Sequence, residues 1–251
     1  MVHPDRPIDF CDYTLPQDEV HIWRTGLDLP QSDLTRLRHV LSPEEQERAD
    51  RFHFEAERRR CLIGRGSLRL LLGKILNQPA SKLQFEHDEF GKPHVIQGRG
   101  SRLQFNVTHS GGLILLAITM DRMIGVDVEM VRTDLDLDEI AARFFSAREY
   151  TTWASLAGDV KCEAFFACWT RKEAYLKAHG TGLSISPSRF DVSFLPGEEP
   201  RLLETRPDQD EASRWSLRAP QLEPGYRAAL AVEGTAWTLK CLDLRYGGLW
   251  E

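Results

Sequence analysis

The chain of 251 residues is long enough to bury a core in one large domain or two small ones, and its composition, 41% hydrophobic and 28% charged, is that of a globular protein. A net charge of -6 argues against a general nucleic-acid-binding protein, because such a protein needs a cationic surface for phosphates. The five cysteines are scattered and include no Cys-x-x-Cys pair, which argues against a disulfide framework or a structural zinc site and for a reducing compartment.

The hydropathy pattern contains no segment directed to a membrane. Residues 1–7 lack the apolar stretch of a signal peptide, and the longest apolar run, residues 113–118, is far too short to cross a bilayer. The sequence therefore predicts a cytoplasmic protein with no membrane partner.

The first part of the chain predicts a short strand followed by helices. Residues 20–23 are strand-like and lie between proline-rich turns. Ser42 and Glu45 form a capping box that predicts a helix start, and the helical pattern continues with interruptions through residue 60 and again over residues 62–76. An arginine-rich stretch there is either a solvated helix face or a surface for phosphates or acidic partners; it comprises Arg48, Arg51, Arg58, Arg59, Arg60, Arg65 and Arg69.

Two strands follow, with a glycine-rich break between them. Residues 103–107 alternate in polarity, residues 108–112 (Thr-His-Ser-Gly-Gly) interrupt the pattern, and residues 113–120 continue as a buried strand. His109 lies in the break, where an imidazole and backbone amides could meet a phosphate. The alternative is an ordinary turn histidine. Residues 90–93 (Phe-Gly-Lys-Pro) predict a tight turn.

The next strand carries two carboxylates. In residues 124–129 (Ile-Gly-Val-Asp-Val-Glu) the apolar side chains share one face, so Asp127 and Glu129 share the other. Paired carboxylates repel each other unless a cation or solvent separates them, and hard oxygen ligands suit Mg²⁺. The alternative is the solvated polar face of an edge strand.

The second half of the chain repeats the order of helix followed by strands. Ser146 and Glu149 form a second capping box, and residues 164–178 predict a helix that ends at Gly180. Glu173 and Lys177 lie one turn apart on that helix and could also be a simple surface ion pair. Residues 185–245 predict several strands, so the order favours two similar α+β halves joined near residue 121.

Five short segments form a series that runs through both halves. They are residues 90–95 (Phe-Gly-Lys-Pro-His-Val), 105–111 (Phe-Asn-Val-Thr-His-Ser-Gly), 124–129, 144–149 (Phe-Phe-Ser-Ala-Arg-Glu) and 169–177 (Trp-Thr-Arg-Lys-Glu-Ala-Tyr-Leu-Lys). The series resembles the signature set of the Sfp-type 4′-phosphopantetheinyl transferases. The third and fifth segments are the most specific. Glu45 stands where some relatives have a lysine near the nucleotide 3′-phosphate.

The resemblance implies an α+β fold with a pseudo-twofold arrangement of two similar halves and an active site in the cleft between them. Residues 1–121 are expected to contact the nucleotide and the carrier, and residues 122–251 to hold the metal and the catalytic residues. The resemblance places Mg²⁺, with Mn²⁺ as an alternative ion, at Asp127, Glu129 and Glu173. It implies catalytic roles for Glu173, Lys177 and His109. Contacts to coenzyme A are expected from Arg48, Arg60, Lys92, Pro93, His109, Ser110 and Lys177.

The activity implied by the resemblance is that of a holo-(acyl-carrier-protein) synthase. Such an enzyme transfers the 4′-phosphopantetheine of coenzyme A to a serine hydroxyl of an acyl or peptidyl carrier protein and releases 3′,5′-ADP. The base is either Glu173 or a metal-bound water. Acidic carriers of fatty acid, polyketide or nonribosomal peptide synthesis are the expected partners, docking on the arginine-rich helix face. The enzyme is expected to be a monomer.

Two other classes of function are weighed against this one. A catalytically degenerate homologue would bind coenzyme A or a carrier without transfer, and the intact acidic positions and Lys177 argue against it. A nucleic-acid-binding module is suggested by the arginines alone, and the acidic net charge and the lack of a binding motif argue against it.

Overall fold

The computed structural model describes residues 13–96 and 102–246. They form a mixed α+β fold, which confirms the predicted class. The helices are α1 (Gln31–His39), α2 (Pro43–Asp50), α3 (Glu55–Ile75), α4 (Leu137–Phe144), α5 (Ala147–Ala154) and α6 (Gly158–His179). The strands are β1 (Glu19–Gly26), β2 (Phe85–His87), β3 (Pro93–Val95), β4 (Leu103–Ser110), β5 (Leu113–Met120), β6 (Ile124–Met130), β7 (Phe190–Val192), β8 (Leu202–Thr205), β9 (Trp215–Arg218), β10 (Tyr226–Glu233) and β11 (Thr238–Asp243). No helix in this part of the chain combines the length and the apolar character that crossing a bilayer requires.

The chain divides into two compact units that are not continuous in sequence. The first takes in residues up to Asp88, Pro93–Asp121 and the chain from Thr238 onward, and the second takes in Glu89–Lys92 and Arg122–Trp237. The expected boundary near residue 121 is one of the crossing points. The end of the chain differs from the expected division, because β11 pairs in parallel with β1 and so joins the sheet of the first unit. The separate roles assigned to the two halves stay a prediction.

The first unit is built on a four-stranded sheet in the order β11-β1-β5-β4. β5 is buried along nearly its whole length because its residues are almost all apolar. The long helix α3 packs against β4 and β5, and its leucines join Trp23 and Phe105 in the core. β2 and β3 pair as an antiparallel two-stranded sheet.

The second unit is built on an antiparallel sheet in the order β6-β10-β9. The 22-residue helix α6 packs against β6 and β10, and its aromatic side chains form a cluster with Phe145 and Trp153. α6 ends at Gly180, whose left-handed φ of 79° confirms the predicted cap.

Both predicted capping boxes form, and each is tied to the following long helix by the same device. Ser42 and Glu45 cap α2, and the Glu45 carboxylate accepts a bond of 2.6 Å from the buried Arg69 of α3. Ser146 and Glu149 cap α5, and the Glu149 carboxylate lies 2.6 Å from Lys172 of α6. The shared device is an internal similarity between the two units that sequence periodicity did not reveal.

Several elements differ from the prediction in extent. α3 continues without interruption through residues 60–62, and the glycines at 64, 66 and 73 lie within the helix. α6 begins at Gly158, six residues before the predicted start. α1 was missed since it has no side-chain cap, and α4 was missed although Asp136 caps it by accepting a bond from the Glu139 amide. β4 continues through Ser110, so the break is shorter than residues 108–112.

The buried pair of Lys172 and Glu149 gives a first prediction. The two side chains are only 1% and 2% exposed, and Lys172 also donates to the carbonyls of Pro187 and Phe190. Lys172→Met leaves the Glu149 charge buried without its partner, so we expect the free energy of unfolding to fall by about 3–5 kcal/mol in denaturant titrations.

The exposed pair of Glu47 and Arg51 provides the control, since Glu47→Gln should change the free energy of unfolding by no more than about 1 kcal/mol. The double variant Lys172→Met with Glu149→Gln should recover much of the loss, because no buried charge remains and the side-chain oxygen can still accept from a backbone amide. Equal small losses for the Lys172 and Glu47 variants would contradict the structural role of the buried pair.

Candidate active site

Four side chains of the predicted signature come together in the second unit. Asp127 and Glu129 project from β6, and Glu173 and Lys177 project from α6, which packs across that strand. Lys177 Nζ donates to Asp127 Oδ1 at 2.6 Å. We refer to these four residues as the acidic cluster.

A glycine allows the helix to come this close to the strand. A Cβ on Gly125 would overlap the carbonyl oxygen of Ala174 and the amide nitrogen of Ala178, and both belong to the backbone of α6. Backbone atoms cannot move aside as the end of a side chain can. Gly125 is therefore a condition for the geometry of the acidic cluster.

Asp127 is buried rather than solvated. β6 is an edge strand, but the alternative of a solvated polar face is wrong for this residue, because α6 covers that face and leaves only 3% of Asp127 exposed. Burial raises the pKa of Asp127 to about 7, the charge of Lys177 opposes this, and the carboxylates of Glu129 and Glu173 raise the pKa further. The three acids are thus close enough to influence one another.

Glu173 is half-buried, and Lys177, the other member of the possible surface ion pair, pairs with Asp127 instead. Burial raises the pKa of Glu173, Lys177 opposes the rise, and Glu129 adds to it. A simple surface pair of Glu173 with Lys177 is not what forms, since the ion pair of Lys177 is with Asp127. A carboxylate with a raised pKa is a better proton acceptor near neutral pH.

The donor set suits magnesium without forming a complete cage. Among the described residues, no three His, Cys, Asp or Glu side chains are arranged as a ready metal-ligand group. Mg²⁺ commonly uses only one or two protein carboxylates and completes its shell with phosphate oxygens and water. Asp127 and the nearby carboxylates of Glu129 and Glu173 could supply such protein ligands.

The first unit holds a pocket of about 430 Å³ whose wall includes three arginines. Its wall includes Arg48, Arg60, Arg65 and His109, against one carboxylate, Glu57. The residues from α3 in the wall recur at helical spacing: Glu57, Arg60, Cys61, Gly64, Arg65 and Leu68. The excess of positive charge favours an anionic ligand.

The expected nucleotide residues are partly gathered in this pocket. Arg60 donates to the carbonyl of Gly111 at 3.1 Å, which places its guanidinium near the β4–β5 turn. His109 is the exposed penultimate residue of β4 rather than part of an irregular break. Pro93 lines the pocket, while Ser110 is half-buried at the end of β4 and is not in the pocket wall.

The arginine-rich stretch does not form one basic face. Arg51 pairs with Glu47, Arg58 pairs with Glu55, and Arg69 is buried against Glu45. Because helical rotation turns successive residues to different sides, the other arginines separate as well. Arg59 bonds the carbonyls of Leu27 and Leu29, and the remaining three line the pocket.

The contacts of the Glu45 and Lys92 side chains bear on whether these residues can lie near the nucleotide. Glu45 bonds Arg69 and the Ser42 amide, so it takes part in the capping box and does not line the pocket. Lys92 is only 8% exposed, and its Nζ donates to three backbone carbonyls of the second unit. A nucleotide contact through that ammonium is therefore not supported.

Comparison with known families decides the identity. A family model described as "4'-phosphopantetheinyl transferase superfamily" matches residues 123–231, and one described as "4'-phosphopantetheinyl transferase, N-terminal" matches residues 29–121. The chain belongs to the 4′-phosphopantetheinyl transferase superfamily. The predicted resemblance is confirmed.

Curated relatives of this transferase match over most of its length. The chain is 41% identical over 229 residues to 4'-phosphopantetheinyl transferase HetI of Nostoc sp. (strain PCC 7120), covering 90% of this chain and 93% of that protein. It is 31% identical to putative 4'-phosphopantetheinyl transferase slr0495 of Synechocystis sp. (strain PCC 6803), over 83% of this chain and 81% of that protein. It is 29% identical to 4'-phosphopantetheinyl transferase Sfp of Bacillus subtilis, over 81% and 87%.

Arg65 and Asn106 are two of the pocket residues of this transferase to which sequence reasoning assigned no nucleotide role. Arg65 lies on the same helical stripe as Arg60 and Cys61, and that spacing could have identified it. Asn106 alternates with the inward-facing Phe105 and Leu103 on β4, so it was visible only as a polar strand position. The pocket itself depends on how α3 lies over β4, which the periodicity does not give.

The close contact at Gly125 gives the second prediction. Gly125→Ala should lower the free energy of unfolding by about 3 kcal/mol or more, the upper end of what overpacking costs, because the new methyl meets backbone on α6. Gly26→Ala is the matched strand control, since its Cβ would lie an ordinary 3.8 Å from the carbonyl of Gly112. Denaturant titrations measure both. A Gly125 variant as stable as the Gly26 variant would mean that the strand and the helix are not held at this distance.

Proposed function

We propose that this transferase moves the 4′-phosphopantetheine group of coenzyme A to a serine hydroxyl of a carrier protein and releases 3′,5′-ADP. The observation that carries the proposal is the acidic cluster, in which residues 50 positions apart in sequence meet as a buried carboxylate and a lysine, 2.6 Å apart. Family membership supports the same reaction.

The acidic cluster would hold magnesium through Asp127, Glu129 and Glu173. Bound there, the ion would supply positive charge to the diphosphate of coenzyme A as negative charge develops on it. Lys177 already lies beside Asp127 and would contribute a second positive charge to a phosphate oxygen. Burial of Asp127 keeps its carboxylate in a fixed position.

Glu173 is the proposed base. The serine oxygen forms a bond to the β-phosphorus, the bond from that phosphorus to the bridging oxygen breaks, and 3′,5′-ADP leaves with the bonding electrons. The serine proton passes to the Glu173 carboxylate, whose raised pKa suits that role.

The arginine-lined pocket of the first unit is the proposed site for the nucleotide. Arg48, Arg60 and Arg65 offer charge-assisted hydrogen bonds, and a guanidinium matches a phosphate group in geometry. His109 at the end of β4 adds a further donor. The 3′-phosphate is the proposed occupant because it is the part of the nucleotide with the highest charge outside the diphosphate.

The proposal that a carrier protein is the substrate rests on family membership and not on a basic docking face. Arg51 and Arg58 each pair with a neighbouring glutamate, so the exposed part of the arginine-rich stretch is close to neutral. The experiment that tests the proposal incubates the protein with coenzyme A, Mg²⁺ and apo-carriers of the fatty acid, polyketide and nonribosomal peptide classes, and compares their intact masses. A mass gain of one phosphopantetheine group, dependent on Mg²⁺, identifies a substrate.

The third prediction uses this assay with Glu173→Gln, which keeps the shape and removes the basicity. We expect kcat to fall by roughly 10²–10⁴-fold without recovery in excess Mg²⁺, as loss of a general base does. Glu163→Gln on the same helix is the control, because Glu163 pairs with Arg227 instead. Recovery of the Glu173→Gln variant by excess metal would assign Glu173 to metal binding. Binding of coenzyme A with no transfer to any carrier by the parent protein would favour the degenerate homologue.

The fourth prediction concerns the pocket. Arg60→Ala should reduce the preference for coenzyme A over 3′-dephospho-coenzyme A, measured as a ratio of kcat/KM, by roughly tenfold, the equivalent of one charge-assisted hydrogen bond. Arg58→Ala removes an arginine of the same helix that pairs with Glu55 and does not line the pocket. If both variants keep the parental ratio, the 3′-phosphate does not bind at Arg60.

A further inference from the structure

Lys92 lies in a segment associated with the nucleotide, yet its side chain is used within the second unit. Its Nζ donates to the carbonyl oxygens of Ile124 at 3.1 Å, Lys177 at 2.9 Å and Ala178 at 3.1 Å. An ammonium group has three N–H donors, and each is matched here to a backbone acceptor. With only 8% of the residue exposed, the charge lies inside the unit.

The acceptors explain why a cation is stabilised at this point. α6 ends at His179, and the last carbonyls of a helix lack intrahelical partners and carry partial negative charge. The Gly180 amide bonds the carbonyl of Leu176 at 3.1 Å, and the next two carbonyls along the helix are the ones that Lys92 takes. Lys92 therefore caps α6 from a distant part of the chain.

The same bonds join the two elements that carry the acidic cluster. Ile124 is the first residue of β6 and precedes Gly125, where the strand and α6 come closest. Lys177 is bonded twice, since Lys92 holds its carbonyl and Asp127 accepts from its Nζ at 2.6 Å. A shift of α6 along β6 would break the Lys92 bonds and separate Lys177 from Asp127.

We propose that Lys92 is a positioning residue for the acidic cluster. Its ammonium fixes α6 against the start of β6 and so sets the spacing of Asp127, Glu173 and Lys177, and it does not contact the nucleotide. The proposal rests on the proposed function for the use made of the cluster, whereas the capping of α6 stands on the contacts alone.

Lys92→Met tests the proposal because it keeps an unbranched side chain only one atom shorter and removes all three donors. Mg²⁺ affinity, measured by titration calorimetry with coenzyme A present, should weaken by ~10- to 100-fold, the usual effect of losing a residue that orients metal ligands. Amide exchange should accelerate in residues 124–130 and 174–180. The kcat/KM ratio of coenzyme A to 3′-dephospho-coenzyme A should stay at the parental value.

Two further variants make the result specific. Lys92→Arg keeps the charge and several donors and should recover part of both the Mg²⁺ affinity and the exchange protection. Lys82→Met removes an exposed lysine of the first unit and should change neither. If Lys92→Met does not fold, Lys92→Gln, which keeps two N–H donors but no charge, carries the same comparisons.

Unchanged Mg²⁺ affinity and unchanged exchange, together with a loss of preference for coenzyme A, would overturn the proposal and return Lys92 to the nucleotide. The proposed function fails separately, if the parent protein transfers phosphopantetheine to none of the carriers. In that case the exchange and calorimetric measurements still decide the role of Lys92.

Discussion

The contact of β6 with α6 at Gly125 is the constraint on which the candidate active site depends. Without a side chain at this position the backbone of the helix touches the backbone of the strand. This close approach brings Lys177 Nζ within 2.6 Å of Asp127 Oδ1, and α6 covers Asp127 so that its carboxylate is buried. The electrostatics follow from the packing, because burial is the largest cause of the raised pKa of Asp127.

Each unit holds one candidate site of opposite charge, and the net charge conceals both. A total of -6 gives no hint of a pocket in which three arginines face one carboxylate, or of a second site in which three carboxylates face one lysine. Phosphate groups suit the first site, and a hard cation such as Mg²⁺ suits the second. The proposed reaction uses both kinds of site, so the opposed charges have one chemical explanation.

Sequence reasoning succeeded where the signal is local and failed where it depends on packing. The two capping boxes, the alternation of β6 and the glycine cap of α6 were predicted correctly, because each is set by residues within one turn or a few strand positions. Alternation says which side chains share a face but not what covers that face, so the burial of Asp127 was missed. The contacts of Lys92 join residues 32, 85 and 86 positions apart, and no periodicity reports on them.

Adjacent residues of a signature motif can have different physical roles. Lys172 and Glu173 are neighbours in sequence, but successive helical residues point about 100° apart. Lys172 is directed into the core, where it neutralises Glu149 and bonds two carbonyls, while Glu173 is directed toward β6 and its carboxylates. The helix must be fixed in rotation for Glu173 and Lys177 to reach Asp127. A turned helix would leave the buried charges of Lys172 and Glu149 without a partner, so their ion pair opposes that rotation. The structural lysine Lys172 and the proposed base Glu173 thus depend on the same rotation of α6.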